Sequence, residues 1–197
     1  MARAIPYYFP GKFSPPNKYD LSIVNWLIRK TYDVSSVTIV VGKTKDDFIP
    51  IDQKVDLWKD FLRLNLDGNI SVIKDEVNSP LAAIYKIQER SREDAFGIAT
   101  TPDIAKNEDF KSTFSYFPNY EVILVPSYES ENPDNLRASL EQDDFKTFSR
   151  YMPDAMSVEE KQKIFSSLKP APIPEENPVL SEDYWRTVAK SIVNNFK

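Results

Sequence analysis

The chain of 197 residues contains no cysteine, no histidine and only four glycines. The absence of cysteine excludes disulfide bonds and thiolate metal sites, and it is compatible with the cytoplasmic location that we expect. No apolar run approaches the roughly 18 residues of a membrane helix. Pro6 and Pro10 interrupt the N-terminal segment in which a signal peptide would need its apolar region. We therefore expect no membrane partner.

The charge balance is mildly acidic. The net charge is −5, from 25 basic and 30 acidic residues. Proteins that bind nucleic acids through the phosphate backbone need a basic surface, so this balance argues against strong, non-specific nucleic-acid binding. It does not exclude a local basic pocket.

The few glycines mark candidate positions for a special backbone geometry. Gly11 and Gly42 each end an apolar, strand-like run. In open α/β sheets, ligands bind at the edge formed by the carboxyl ends of the strands. Both glycines therefore point to a site at that edge.

What the chain has in abundance is apolar and aromatic residues, with 12 Phe, 10 Tyr and 3 Trp, enough for one packed domain. Strand-like and helix-like segments alternate, which predicts a doubly wound α/β sheet with right-handed crossovers. The predicted strands are Ala4–Phe9, Ser36–Val41, Ile70–Lys74, Ala95–Ala99 and Glu121–Val125.

Helices are predicted between these strands and after the last one. Asp20 is interpreted as the N-cap of the first helix, and Pro80 as the first helical residue of the third. Ser157 and Glu160 have the spacing of a capping box. The predicted second helix and the C-terminal helices are Asp52–Leu66, Pro133–Leu140, Asp144–Tyr151 and a helix from Ser157 to Leu168.

A Pro-rich segment near the C-terminus predicts three parts of the chain. These are a domain over residues 1–169, a linker over 170–180 and an amphipathic helix over 181–197. The apolar stripe of that helix must be buried. It either folds back on its own sheet or reaches a second subunit or protein partner. Because the linker favours an extended path, we expect the second arrangement and hence an oligomer or a protein complex.

The segment that bears most directly on function runs from Gly11 to Asp20 and reads G-K-F-S-P-P-N-K-Y-D. It follows the apolar run Ile5–Phe9 and precedes the first helix. This is the place and shape of a loop that binds phosphate at the N-terminus of a helix.

This loop resembles the G-R-F-x-P-x-H-x-G-H-L motif of the cytidylyltransferase-like nucleotidyltransferase superfamily. Three later segments are similar to family motifs in the same order. They are V-V-G-K-T-K-D-D-F-I-P-I-D-Q-K-V-D-L-W, N-S-P-L-A-A-I-Y and N-L-R-A-S-L-E-Q-D-D-F-K-T-F-S-R-Y-M-P. The resemblance covers about Ala4 to Leu168 and is greatest to the small phage-encoded members, which are related to nicotinamide mononucleotide adenylyltransferase.

The resemblance implies a Rossmann-like fold with five parallel strands in the order 3-2-1-4-5, plus C-terminal helices. It also implies transfer of a nucleotidyl group from a nucleoside triphosphate, ATP or CTP with Mg²⁺, to a phosphate-bearing acceptor. In the family, the two histidines of the loop and the helix N-terminus stabilise charge on the reacting phosphate. An arginine in the last motif holds the β- and γ-phosphates.

Carried over residue by residue, the resemblance places Asn17 and Asp20 at the two histidine positions and Arg137 at the phosphate-binding arginine. These three are the candidate catalytic residues. Tyr19 stands at the glycine of the motif, where its bulk would crowd a nucleotide. Two negative charges 4 Å apart repel by roughly 4 kcal/mol at an effective dielectric constant of about 20, so Asp20 opposes the chemistry that histidine would favour.

The candidate nucleotide-binding residues are Gly11, Lys12, Phe13, Lys18, Lys43 and Asp103. The lysines and Asp103 have an ordinary structural interpretation as well: the lysines as solvated loop residues, and Asp103 as part of a turn after a proline. Arg137 is either a phosphate ligand or a surface helix residue. Asp20 is either an N-cap or, with Mg²⁺ present, a metal ligand; we assign no metal site.

Three functions remain open. The first is a degenerate nucleotidyltransferase relative that binds a nucleotide or phosphate with weak or no transfer. The second is a non-catalytic structural or assembly protein, viral in origin and present in a host cytoplasm or virion, that uses the fold as a scaffold. The third is an active adenylyl- or cytidylyltransferase.

Overall fold

A computed structural model describes residues 4–30, 34–43, 48–64, 69–75, 79–91, 94–125 and 133–168. The linker 170–180 and the helix predicted over 181–197 lie outside the described residues, so the predicted domain division stays a prediction.

Five parallel strands form one sheet in the order β3-β2-β1-β4-β5, which confirms the predicted topology. The strand ends differ from the predicted ones by at most two residues. The strands are β1 Ile5–Gly11, β2 Val34–Val41, β3 Ile70–Lys74, β4 Phe96–Thr100 and β5 Tyr120–Leu124.

The central strand β1 is buried on both faces, as a doubly wound sheet requires. Tyr7 and Phe9 point into one apolar cluster, and Tyr8, between them, points into the other. Side chains of a strand alternate between the faces of a sheet, so one short aromatic run supplies both cores.

Helices cover both faces of this sheet. The larger cluster contains apolar residues of α1, α2, α6, α7 and α8, and the smaller contains residues of α3 and α5. The helices are α1 Lys18–Lys30, α2 Ile51–Leu62, α3 Pro80–Ser91, α4 Pro102–Lys106, α5 Glu108–Phe114, α6 Pro133–Glu141, α7 Phe145–Tyr151 and α8 Val158–Leu168.

Two short helices between β4 and β5 were not predicted. Asn107 begins α5 by accepting a hydrogen bond from the Asp109 N–H at 2.7 Å. Phe110 and Phe114, one helical turn apart, are buried in the smaller cluster. A helix of seven residues is too short to show a periodic pattern in the sequence, so tertiary packing of its two rings defines it.

The predicted capping box at the start of α8 is confirmed. The Ser157 N–H donates to Glu160 Oε2 at 2.7 Å, and the Glu160 N–H donates to Ser157 Oγ at 3.2 Å. Pro80 is also the first residue of α3, as predicted.

Close packing between β4 and β1 depends on the absence of a side chain at Gly97. A Cβ atom there would overlap the ring of Tyr7, which is itself buried. We predict that Gly97→Ala lowers the free energy of unfolding by roughly 1–3 kcal/mol through overpacking. In a Tyr7→Leu background the same substitution should lower the free energy of unfolding clearly less. Urea denaturation of the native chain, the two single variants and the double variant gives the coupling free energy between the two positions. An equal cost in both backgrounds would contradict this contact.

Candidate functional site

The loop that follows β1 folds inward rather than opening toward a ligand. Phe13 has a positive φ of 42°, and its ring lies where a side chain on Gly11 would be. The ring centroid lies 5.3 Å from that of Phe9 and 5.1 Å from that of Trp58. Phe13 is therefore a core residue, and only its backbone is left to contact a nucleotide.

Asn17 and Asp20, which the resemblance places at the two histidine positions, accept hydrogen bonds from each other's backbone N–H groups. The N–H groups of Tyr19 and Asp20 donate to Asn17 Oδ1 at 2.9 and 3.3 Å. In return, the Asn17 N–H donates to Asp20 Oδ2 at 3.0 Å. We call this reciprocal arrangement the α1 capping box. It gives N–H groups at the start of the helix hydrogen-bond acceptors from side chains of the same segment.

The prediction that Asp20 is the N-cap is wrong. The N-cap is Asn17, whose carbonyl also accepts the first helical hydrogen bond, from the Leu21 N–H at 3.1 Å. Asp20 lies three residues later, in the first turn of α1. Asparagine and aspartate are both favoured N-caps, so residue type alone does not distinguish Asn17 from Asp20, and the hydrogen bonds in the structure do.

The capping box uses the hydrogen-bond donors that a phosphate would need. A helix N-terminus binds anions through the N–H groups of its first turn, which have no partner within the helix. Here the N–H groups of Asn17, Tyr19 and Asp20 already have side-chain partners. A phosphate could reach those groups only by displacing Asn17 and Asp20.

Asp20 is half-buried, and burial raises the pKa of its carboxyl group to about 7, opposed in part by the hydrogen bond from the Asn17 N–H. Asp20 thus changes its charge near neutral pH. The ionised form carries a negative charge in the first turn of α1.

Arg137 contacts Glu141 and Phe48 rather than the loop after β1. Its Nε donates to Glu141 Oε1 at 2.9 Å, one turn along α6, and its guanidinium lies 5.3 Å from the centre of the Phe48 ring. The side chain is 49 % exposed. Among the described residues, Arg137 makes no hydrogen bond or ion pair with Asn17 or Asp20.

The remaining predicted ligand residues are spread along the sheet edge. Lys12 and Lys43 are exposed, and Asp103 is exposed in the first turn of α4. Lys18 is half-buried, with its Nζ 5.4 Å from the centre of the Tyr19 ring. Over the described ranges, no three carboxylates lie together as a metal site would require.

Lys54 is a residue at this edge that the sequence analysis missed. It is fully buried, and its Nζ donates to the Lys12 carbonyl at 2.8 Å and to the Gly42 carbonyl at 3.5 Å. It thereby ties the loop after β1 to the end of β2. Lysine is almost never fully buried, so its position on the apolar face of α2, one turn before Trp58, gave little reason to expect this role.

A cavity of about 600 Å³ lies beside the first turn of α1 and is bounded on the other side by α6 and α7. We call it the α1–α7 cavity. Lys18 and Arg150 supply its basic side chains. Its other lining residues are Asn135, Ala138, Ser139, Gln142, Asp144, Thr147 and Tyr151. Of all these, only Lys18 was predicted as a site residue, because the others come together only when α6 and α7 pack.

No family model matches the chain, and no curated protein is similar to it in sequence. Solved structures are similar in fold. The structure of Plasmodium falciparum nicotinic acid mononucleotide adenylyltransferase complexed with NaAD is 14% identical with a TM-score of 0.57; the similarity covers 83% of this chain and 98% of that one. The structure of the same enzyme complexed with APC is 13% identical with a TM-score of 0.53, at the same coverage.

At this identity the comparison shows the fold alone. The chain has the five-stranded α/β fold of nucleotidyltransferases, as predicted from the resemblance. Within the described ranges, no helix has the length and apolar character needed to span a membrane.

The raised pKa of Asp20 makes a specific prediction about stability and pH. The unfolded pKa is about 3.9, so the native state binds the proton more tightly, and the free energy of unfolding should fall as pH rises from about 4 to about 7. Asn at position 20 keeps an acceptor for the Asn17 N–H and does not ionise. Between pH 4.5 and pH 7.5, we expect the free energy of unfolding of Asp20→Asn to rise by about 2 kcal/mol relative to that of the native chain. Full linkage would give about 1.4 kcal/mol per pH unit, and a half-buried group delivers only part of it.

Asp144→Asn is the matched control. Asp144 caps α7 by accepting from the Thr147 N–H at 3.0 Å, and hydrogen bonds from Thr147 lower its pKa. Its stabilisation is present above the unfolded pKa and is lost as pH falls through the folded pKa. The Asn variant should therefore lose stability relative to the native chain at neutral pH, with a smaller difference at acidic pH. Urea denaturation at several pH values measures the free energy of unfolding of both variants. As pH rises, the free energy of unfolding relative to the native chain should rise for Asp20→Asn and fall for Asp144→Asn. A change of the same sign for both variants would contradict the raised pKa of Asp20.

Proposed function

We propose that this protein is a degenerate relative of the nucleotidyltransferases that binds a nucleotide or another phosphate-bearing ligand and has weak or no nucleotidyl transfer activity. The observation that carries the proposal is the α1 capping box. The resemblance places Asn17 and Asp20 at the catalytic positions. Here their side chains accept hydrogen bonds from the N–H groups at the start of α1.

Electrostatics argues against transfer at this loop. The reaction would build negative charge on a phosphate next to Asn17, which carries no charge, and Asp20, which is partly ionised at neutral pH. Repulsion of roughly 4 kcal/mol corresponds to a rate loss of about a thousandfold. The positively charged Arg137 side chain, paired with Glu141, does not offset this loss at the loop.

Ligand binding is supported by features that survive. The sheet edge carries Lys12, Lys18 and Lys43, and the α1–α7 cavity adds Arg150. The similar solved structures are complexed with NaAD and with APC. A nucleotide, with ATP or CTP and Mg²⁺ as the candidates from the resemblance, is accordingly the proposed class of ligand.

We predict that the full-length chain, incubated with ATP or CTP, Mg²⁺ and nicotinamide mononucleotide, releases no measurable pyrophosphate. Binding should nevertheless raise the melting temperature, because a site held at a hundred times its dissociation constant adds about 2.7 kcal/mol. The set of ligands should include AMP and CMP. Pyrophosphate release that is lost in Arg137→Ala would contradict the proposal, and so would the absence of any shift with every nucleotide.

The combined change Asn17→His, Tyr19→Gly and Asp20→His tests the reason for the missing activity. It removes the capping box and restores the family's loop motif, so we expect tighter binding of the triphosphate. Ser157→Ala, which breaks the capping box of α8 instead, serves as a control for the general cost of losing a cap. Equal effects of both changes on triphosphate binding would mean that the loop has no latent phosphate site.

A second candidate function is that of a scaffold in an assembly. The edge strand β5 and the helix α4 beside it expose apolar side chains: Leu124 is 53% exposed, Ile104 41% and Val122 36%. An edge strand with exposed apolar residues favours association with another chain. The apolar stripe predicted over residues 181–197 adds a second surface of this kind.

The scaffold function predicts that the full-length chain forms oligomers. Deleting residues 170–197, or introducing a charge by Leu124→Glu, should lower the number of chains per particle, measured by light scattering. The circular dichroism spectrum of the folded domain should be unchanged. Val158→Glu is the control, since Val158 is equally apolar and 64% exposed but lies on α8. A full-length chain that is monomeric at all concentrations would remove this candidate.

A further inference from the structure

We propose that the α1–α7 cavity is a binding site for a small phosphate monoester that carries hydroxyl groups, such as a sugar phosphate or a nucleoside monophosphate. Lys18 and Arg150 would hold the phosphate. The proposal names the ligand site and the ligand class of the proposed function, and to that extent rests on it. The site lies beside the loop after β1: apart from Lys18, its lining residues come from α6, α7 and the turn that joins them.

Two basic side chains line the cavity, and the charge of one of them, Arg150, is among the causes that lower the pKa of Asp144 in the same cavity. Lys18 comes from the first turn of α1, and Arg150 from the last turn of α7. Among the described residues, neither forms an ion pair, whereas Arg63 and Arg137 each pair with a carboxylate on their own helix. A guanidinium group matches the geometry of phosphate oxygens, and a lysine ammonium adds a point charge.

A single acidic side chain, Asp144, lines the same cavity and limits the charge of the ligand. Its Oδ1 accepts from the Thr147 N–H at 3.0 Å, and hydrogen bonds from Thr147 keep its pKa low, so it is ionised at neutral pH. Two cations and one anion leave a net charge of about +1. A phosphate monoester carries about −1.5 to −2, so it fits this balance better than a triphosphate does.

The acidic side chain also favours hydroxyl groups on the ligand. The oxygens of Asp144 can accept hydrogen bonds from hydroxyl donors, as can the amide oxygens of Asn135 and Gln142. Ser139 is 2% exposed, and its Oγ donates to the Leu136 carbonyl at 2.7 Å, which leaves the oxygen as an acceptor. A polyhydroxylated ligand would satisfy these acceptors, and inorganic phosphate would not.

The size of the cavity suits such a ligand. Its volume of about 600 Å³ lies within the range of small-molecule sites. Tyr151 is 5% exposed and lines the cavity from α7. It therefore forms a small part of the cavity wall and belongs mainly to the larger apolar cluster.

Isothermal titration of the full-length chain with ribose 5-phosphate, AMP, ATP and inorganic phosphate tests the proposal. We expect the two monoesters to bind at least tenfold more tightly than ATP or inorganic phosphate. Lys18→Gln and Arg150→Gln should each weaken the binding of monoesters at least tenfold. Lys146→Gln, which removes the same charge from an exposed position on α7 that does not line the cavity, should leave it unchanged.

Arg150→Lys keeps the charge and should retain part of the affinity, which separates loss of charge from loss of the fold if Arg150→Gln is unstable. Monoester binding that is equal in the native chain, Lys18→Gln and Arg150→Gln would overturn this site and leave the proposed function standing. Inorganic phosphate binding as tightly as the esters would overturn the ligand class. No binding of any of the four compounds would overturn both the site and the proposed function.

Discussion

The reciprocal hydrogen bonds between Asn17 and Asp20 are the constraint on which the interpretation of this protein depends. The first turn of a helix presents N–H groups that need partners. In a phosphate loop the ligand supplies those partners, and here the side chains of the chain itself supply them. The same three donors cannot bind a phosphate while the side chains of Asn17 and Asp20 accept their hydrogen bonds.

Neighbouring residues hold the loop in this closed form. Phe13 packs into the core against Trp58 and lies over Gly11. The buried Lys54 donates to the carbonyls of Lys12 and Gly42, each of which directly follows the end of a strand. A buried ammonium group is costly unless it is hydrogen-bonded, so these bonds give the loop a fixed shape. Lys18, in the first turn of α1, lines the α1–α7 cavity together with Arg150 of α7.

The sequence was sufficient for the fold and only partly sufficient for the site. The strands were predictable because β-branched and aromatic runs such as Ser36–Val41 are typical of buried parallel strands, and their order followed from the resemblance. The short helix α5 was missed because the packing of Phe110 and Phe114 rather than periodicity defines it, and α4 was missed because five residues are too few to show a period. The position of the cap was missed because two good N-caps stand three residues apart. The α1–α7 cavity was invisible, since Lys18 and Arg150 are 132 positions apart (150 − 18) and meet only in the folded chain.

Amide hydrogen exchange at the start of α1, followed by NMR on the ligand-free, full-length chain, measures whether the side chains of Asn17 and Asp20 occupy the first-turn N–H groups. First-turn amides of a helix lack intrahelical partners and normally exchange fast. If the capping box exists in solution, the amides of Asn17, Tyr19 and Asp20 should be protected, and the protection of the Asn17 amide should be lost in Asp20→Ala. Exchange of all three amides at unprotected rates would contradict the account and leave the helix N-terminus open to phosphate.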